Sequence, residues 1–395
     1  MASLEERAKV DAEGNERTVY LVRWRDPDGN QRSKTFEREK EAKNYKTNVE
    51  ADLLRGEYID PTAGKVTFKT FATEYLDAQT NDSTELVRSR LRLHVYPVLG
   101  GKRMNQIRPS TIQARLRSTS HLAENYRRVI FEHVSTVLSA AVDDEVIRKN
   151  PCKAASVSRP RLESKKVKPW SAEWVAGVRR AVPDRYAVFV TIAAGLGLRQ
   201  GEVFGLSPDD VDWLRGEVEV QRQVRVINGT KLVFALPKGG KARTVPLPST
   251  VREDLAAYLA KFPAREVTLP WRQVDGKPVT ARLVLTTPRG EQKALNRKNF
   301  NPNVWKPALE ATGIPSSREN GCHALRHFYA STLLDAGETI KAVSEYLGHS
   351  DPGFTLRTYT HLMPSSADRT RKAVDAAMVR VLDVYQDPKS TENQA

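Results

Sequence analysis

The chain has only two cysteines, Cys152 and Cys322, among its 395 residues. Neither belongs to a Cys-x-x-Cys pair or a Cys/His cluster of zinc spacing, which argues against a disulfide framework and a structural metal. Long hydrophobic runs are missing too. No stretch of about 18 apolar residues could span a bilayer, and Met1 to Gly14 is charged, with no apolar signal core. A cytoplasmic protein without membrane attachment is the expectation. The Gly-x4-Gly-Lys-Ser/Thr spacing of a phosphate-cradling loop is absent, as are internal repeats, and no cofactor or metal is expected. Acidic residues are in deficit: 48 Asp plus Glu face 63 Lys plus Arg, a formal +15. That excess calls for a polyanionic partner, and with membranes set aside the partner expected is nucleic acid.

The length exceeds what one hydrophobic core usually organises, so two or three domains are expected. Thr18 to Arg25 and Gln31 to Phe36 read as strands joined by Asp26-Pro-Asp-Gly-Asn30, a hairpin. Ala42, Tyr45, Val49 and Leu53 then fall at helical spacing until Gly56. Residues 1–62 therefore form a small sheet with one helix. Residues 65–153 carry no strand signal. Phe68, Phe71, Ala72 and Tyr75 make one apolar stripe and Leu91, Leu93 and Val95 belong to another. Pro109-Ser110-Thr111 starts a helix, and a long amphipathic helix runs from Leu122 through Tyr126, Val134 and Leu138 to Ala141.

Charge is uneven. Residues 66–170 hold 19 basic against 10 acidic side chains, whereas residues 1–65 hold 13 against 14. Residues 154–170 read as a basic linker between domains. In residues 171–386 helices dominate, interrupted by strand-like patches at Glu217 to Val226, Lys231 to Leu236 and Arg243 to Leu247, the last two framing the turn Lys238-Gly-Gly-Lys241. Residues 387–395 are polar and frayed. The fold class is multidomain and mainly α with small β-sheets: a β-sheet-plus-helix module, a helical domain and a mixed α/β domain.

The third segment carries chemistry. Gly197-Leu-Arg199-Gln-Gly-Glu202, Pro237-Lys238-Gly-Gly-Lys241-Ala-Arg243, His323-Ala-Leu-Arg326-His327 and Leu347-Gly-His349-Ser350 place cations or imidazoles at helix starts and turn ends. Tyr359 follows ten residues after His349. His323 and Arg326, three apart, share a helix face and can address one oxyanion. A phosphoryl transition state in a site without metal is best met by arginine's planar fork used twice, which nominates Arg199 and Arg326. Tyr359 is the candidate nucleophile, since a phenol can form a phosphoester once its proton is taken up, and Lys238 on its turn could protonate a leaving oxygen. Tyr329 and Tyr346 lie in apolar helical patterns and read as core. His323 and His327, four apart, could pair on a metal, but no third ligand is evident and Arg326 between them would repel a cation.

These segments, read as GLGLRQGEVFGL, LPKGGKARTVPLP, HALRHFYASTLL and YLGHSDPGFTLRTYTHL, resemble the motif boxes of the tyrosine recombinase or phage integrase family. The resemblance is detailed over Ser171 to Val384. It implies that Tyr359 attacks a scissile phosphate to leave a 3′-phosphotyrosine link and a free 5′-hydroxyl. Arg199, Arg326 and His323 would bind the phosphate, His349 would donate to a non-bridging oxygen, Lys238 would protonate the leaving oxygen, and Glu202 would orient the site. It further implies double-stranded DNA carrying attachment sites as substrate and a homotetramer on that DNA. A DNA-bending host factor and an excision factor are implied as partners.

Under the same resemblance, 1–62 corresponds to an arm-type DNA-binding domain, 65–153 to a core-binding domain and 171–386 to the catalytic domain. The expected DNA contacts are Arg23, Arg25, Arg32 and Lys34 on one face of the first sheet, Arg127 and Arg128 in the helical segment, Lys165, Lys166 and Lys168 in the linker, and Lys241 and Arg243 near the Gly-Gly turn. A stripe of Ala373, Val374, Ala377, Met378, Val381 and Leu382 is a candidate for docking between protomers. The alternatives are a cellular Xer-like recombinase, a type IB topoisomerase and a DNA-binding regulator that does not cut.

Overall fold

The computed structural model describes residues 2–10, 16–56, 58–79, 84–161, 167–227, 229–288, 294–359, 371 and 374–379. It divides into two compact units, Met1–Ser164 and Lys165–Ala395, so the division falls inside the basic stretch 154–170.

The first unit opens with three antiparallel strands in chain order, β1 (Ser3–Val10), β2 (Glu16–Arg25) and β3 (Gln31–Phe36). Only the last two were expected. Ser3-Leu-Glu-Glu-Arg-Ala-Lys-Val10 is rich in helix formers and poor in apolar alternation. It becomes a strand because its whole length pairs with β2, from Ser3 opposite Arg23 to Val10 opposite Glu16, an instance of context overriding propensity. Helix α1 (Glu39–Arg55) ends at Gly56, whose φ of 67° is the left-handed stop the sequence signalled. Val22, Trp24, Ala42, Val49 and Tyr58 form the core between sheet and helix, and the Trp24 indole donates to Tyr58 Oη at 2.8 Å.

The helical part comprises α2 (Phe68–Asp77), α3 (Thr84–His94), α4 (Pro109–Ser118) and α5 (Glu124–Asp143). Their shared core includes Phe68, Leu91, Val95, Leu99, Met104, Val137 and Leu138. Leu93 is not part of it and stands 61% exposed, because two residues of helical advance turn a side chain away from the face shared by Leu91 and Val95. Asp52 of α1 accepts a hydrogen bond from Arg148, which fastens the sheet module to the helical part.

The second unit contains α6 (Ala172–Ala181), α7 (Asp184–Leu196), α8 (Gln200–Phe204), β4 (Val211–Asp212), β5 (Glu217–Val220), β6 (Gln223–Ile227), β7 (Lys231–Ala235), β8 (Arg243–Pro246), α9 (Ser249–Lys261), β9 (Arg265–Pro270), β10 (Pro278–Leu283), α10 (Arg297–Phe300), α11 (Lys306–Ala311), α12 (His323–Asp335), α13 (Ile340–Leu347) and α14 (Pro352–Tyr359). Two features depart from the sequence reading. Strand β7 pairs with β6 while β8 joins β4 and β5 in another sheet, so the turn carrying Lys238 crosses between sheets instead of closing a hairpin. Strands β9 and β10 form an antiparallel hairpin within a stretch expected to be mainly helical.

Phe189, Phe204 and Phe300 pack as a triangle of rings with centroids 4.8 to 5.7 Å apart, and Trp170 stacks on Trp305 at 5.8 Å. Tyr329 is buried in this core and Tyr346 packs partly buried against it. Residues 374–379 are helical, with Val374 and Met378 exposed; Ala373, Val381 and Leu382 of the proposed stripe, like the tail 387–395, lie outside the described residues.

Candidate active site

Two helix ends and one helix face meet in the second unit. Helix α7 stops at Gly197 (φ 64°) and α13 stops at Gly348 (φ 62°). At both positions a side chain would be strained by the backbone and would also collide, with a ring carbon of Tyr329 at 2.3 Å beside Gly197 and with Arg243 Cδ at 2.9 Å beside Gly348. These stops aim the chain into Arg199 and His349. They also leave carbonyls at the negative ends of two helices, where a cation is favoured.

Arg326 fills that place. It is 1% exposed, donates to Gly197 O at 2.7 Å and to Leu347 O, and lies 3.1 Å from His349 Nε2. Burial, then the charge of Arg199, lowers its pKa, but a guanidinium bonded to two carbonyls keeps its charge at neutral pH. Its Nε is buried without an acceptor.

Arg199 caps the start of α8. Its backbone N–H donates to Glu202 Oε2 at 2.9 Å, its Nη1 to Glu202 Oε1 at 2.8 Å, and its Nη2 to Gly348 O at 3.2 Å. Glu202 is 1% exposed and is gripped from the other side by Arg243, whose Nη2 lies 2.7 Å from Oε2. Burial alone would raise the Glu202 pKa, but the hydrogen bond and charge of Arg243, with the charge of Arg199, outweigh it and pull it down to about 2. The carboxylate thus stays ionised and cross-braces α8 to β8.

Arg243 also donates to Tyr346 O at 2.7 Å, so its fork is spent inside the protein. In place of the expected DNA contact, this arrangement makes Arg243 a brace between Glu202 and the end of α13.

Histidine 349 has a fixed tautomer. A guanidinium only donates, so Nε2 accepts from Arg326 and Nδ1 carries the proton toward Thr355 Oγ1, 2.7 Å away. Burial, then the charges of Arg326 and Arg199, lower its pKa to about 3. In this state Nε2 is an acceptor, so the donation to a phosphate oxygen expected of His349 requires a change of proton or partner.

His323, Arg326 and His327 occupy one turn of α12. Tyr359, at the end of α14, is 1% exposed and its Oη lies 2.7 Å from His327 Nδ1. Burial raises the Tyr359 pKa to about 12, against the opposing pull of Arg326 and Arg199. His327 was missed as a site residue, although its four-residue spacing from His323 was visible; the rings are 4.7 Å apart. Burial also fails to separate the tyrosines as expected, because Tyr359 is more deeply buried than Tyr329. Lys238 is exposed on the Pro237–Gly240 turn, which Gly240 closes by donating to Pro237 O at 2.9 Å. The cluster therefore gathers Arg199, Glu202, His323, Arg326, His349 and Tyr359, while Lys238 stands on the turn before β8. Among the described residues no group of three or more His, Cys, Asp or Glu side chains could hold a metal ion.

Residues 178–365 match the phage integrase family. Over that segment, which holds the whole cluster, the chain is similar to this family. A XerC-like tyrosine recombinase of Caldanaerobacter subterraneus is 32% identical over 245 residues, covering 58% of this chain and 61% of the relative. A putative prophage phiRv2 integrase of Mycobacterium tuberculosis is 28% identical over 278 residues, covering 69% of this chain and 68% of the relative. Among solved structures, the Tn1549 transposon integrase in complex with transposon right end DNA aligns with a TM-score of 0.65 at 19% identity, over 78% of this chain and all of that one. A lambda integrase dimer bound to a COC′ core site aligns with a TM-score of 0.56 at 14% identity, over 89% of this chain and 93% of that one. At these identities the structures speak to the integrase fold.

The other expected DNA contacts divide. Directly paired residues in neighbouring strands share a sheet face, and Arg32 is opposite Trp24 and Lys34 opposite Val22. Arg32 and Lys34 thus border the core face, with Arg32 paired to Asp26 and Asp60 and Lys34 against the Tyr45 ring at 4.4 Å. Alignment of all four on one face is corrected. Arg23 and Arg25 lie on the opposite face, and the register adds Arg7, Lys9 and Arg17 to them, with Glu5 as the acidic member. Arg127 is tied to Glu124 and Leu116 O, and Arg128 to Glu132 and Pro160 O. Lys168 and Lys241 are exposed; Lys165 and Lys166 lie outside the described residues. No helix among the described residues is long and apolar enough to cross a membrane.

Proposed function

We propose that this chain is a site-specific DNA recombinase, an integrase that cuts and rejoins strands at attachment sites through a 3′-phosphotyrosine intermediate. The observation that carries the reading is Arg326: a buried guanidinium, held by two backbone carbonyls and no carboxylate of its own, with a further N–H donor lacking an acceptor. A scissile phosphate supplies both the missing negative charge and the missing acceptor. Arg199, braced by Glu202, meets a second oxygen. Tyr359 Oη attacks phosphorus, the bond to O5′ breaks, and Lys238 delivers a proton to the leaving oxygen. The ester keeps the bond energy, and reversal of the same steps with a different 5′-hydroxyl completes strand exchange.

The basic sheet face of Arg7, Lys9, Arg17, Arg23 and Arg25 supports arm-type DNA binding by residues 1–62, and the cation excess of 66–170 supports a core-binding role for 65–153. The homotetramer on duplex DNA, the DNA-bending host factor and the excision factor belong to the same proposal. A Xer-like recombinase is the second reading, favoured by the XerC-like relative; the basic sheet face speaks for the integrase.

Incubation of wild type and Tyr359→Phe with a nicked suicide duplex from the DNA flanking the gene tests the reading. A covalent adduct on a denaturing gel with wild type alone is expected. Binding without an adduct by both proteins contradicts the proposal.

A further inference from the structure

We propose that His327 is a further catalytic residue of this site: its Nδ1 accepts the Tyr359 proton as the phenolic oxygen bonds to phosphorus, and returns it when strands rejoin. The inference rests on the recombinase reading and names the group that handles the nucleophile's proton.

The geometry is direct. Oη and Nδ1 are 2.7 Å apart, the rings meet at 5.6 Å and 60°, and both residues belong to described helices, α14 and α12. The site's other side chains are engaged elsewhere or cannot accept: Arg199 and Arg326 are donors only, Glu202 is engaged with Arg199 and Arg243, His349 has its nitrogens on Arg326 and Thr355, and His323 packs edge-on against the His327 ring, while the contact to Tyr359 Oη is made by His327. The groups around His327 are His323 and Arg326 on its own helix, Tyr359 on α14 and His349 beyond α13.

The resting state is consistent with an acceptor. Burial, then the charge of Arg326, lowers the His327 pKa to about 4, so the ring is neutral. A neutral ring with its proton on Nε2 leaves Nδ1 free to accept from the phenol. Between a phenol near 12 and an imidazole near 4 the proton stays on Tyr359. Transfer then belongs to the attack itself, when bonding to phosphorus makes the phenol acidic and the bound phosphate offsets the Arg326 charge. The balance closes: the Oη–P bond forms as the proton moves from Oη to Nδ1, and the P–O5′ bond breaks as Lys238 protonates O5′.

Full-length wild type, His327→Asn and Lys238→Ala are compared on two suicide duplexes, one with the natural phosphodiester and one with a 5′-bridging sulfur at the scissile position. Asn preserves an acceptor near the place of Nδ1 but cannot take a proton, and sulfur leaves without protonation. We expect His327→Asn to bind DNA normally yet form adduct about 10²-fold more slowly on both duplexes, while Lys238→Ala recovers on the sulfur duplex. Wild-type rates in His327→Asn overturn the inference and leave the recombinase reading intact. Recovery of His327→Asn by sulfur also overturns it, assigning His327 to the leaving-group side. Absence of adduct with wild type on both duplexes overturns the recombinase reading and this inference together.

Discussion

Arg326 and Lys238 are both cations assigned to one phosphate, yet their surroundings are opposites. Arg326 is 1% exposed and pinned by the ends of α7 and α13, whereas Lys238 stands exposed on a turn whose flanking strands belong to different sheets. A group that must meet developing charge works best fixed in advance, because reorganisation would cost part of what it stabilises. A proton donor to a leaving oxygen has only to reach its target when DNA is present. The difference predicts that changes at the clamp alter both fold and rate, and changes at the turn alter rate alone.

The largest effect is expected from Arg326→Lys. An ammonium presents its donors from a single atom and lacks the planar fork that spans both carbonyls while leaving Nε for the phosphate, so adduct formation should fall by about 10³-fold, read as the initial rate on a suicide duplex. Glu202→Gln should come next, lowering unfolding free energy by about 3 kcal/mol in urea titration, since it leaves buried Arg243 without its counter-charge. Lys238→Ala should slow adduct formation by about 10²-fold while leaving the unfolding free energy from urea titration within about 0.5 kcal/mol of wild type; a large loss of stability there would erase the contrast.

The smallest effect is with pH. Burial, before neighbouring cations, holds His327 and His349 to about 4 and about 3, while the unfolded chain titrates near 6.5. Between those values the unfolded state binds more protons, so stability should be full above about pH 6.5 and fall as the pH drops toward 4. Glu202 adds its loss only below the ordinary carboxylate range. A midpoint that rises on acidification would contradict the buried, neutral histidines.

Much of this site was legible because its elements announce themselves locally. Gly197 and Gly348 mark helix stops, and the three-residue spacing of His323 and Arg326 fixes a shared face. What could not be read was partnership. His327 looked like half of a metal pair until α14 brought Tyr359 to it. Arg243 looked like a DNA contact beside a Gly-Gly turn until the fold placed it against Glu202. In the first sheet Arg23, Arg25, Arg32 and Lys34 are each compatible with one face within their own strands, and only the register of β2 on β3 separates them. Strand β1 was hidden for the same reason, because its conformation comes from its neighbour.

The most direct test of the central claim is to digest the protein–DNA adduct with trypsin and locate the attached nucleotide by mass spectrometry. The account predicts a 3′-linked nucleotide on the peptide of residues 358–369, carried by Tyr359. A nucleotide on the peptide containing Tyr329 or Tyr346, or attachment through a 5′-phosphate, would contradict it.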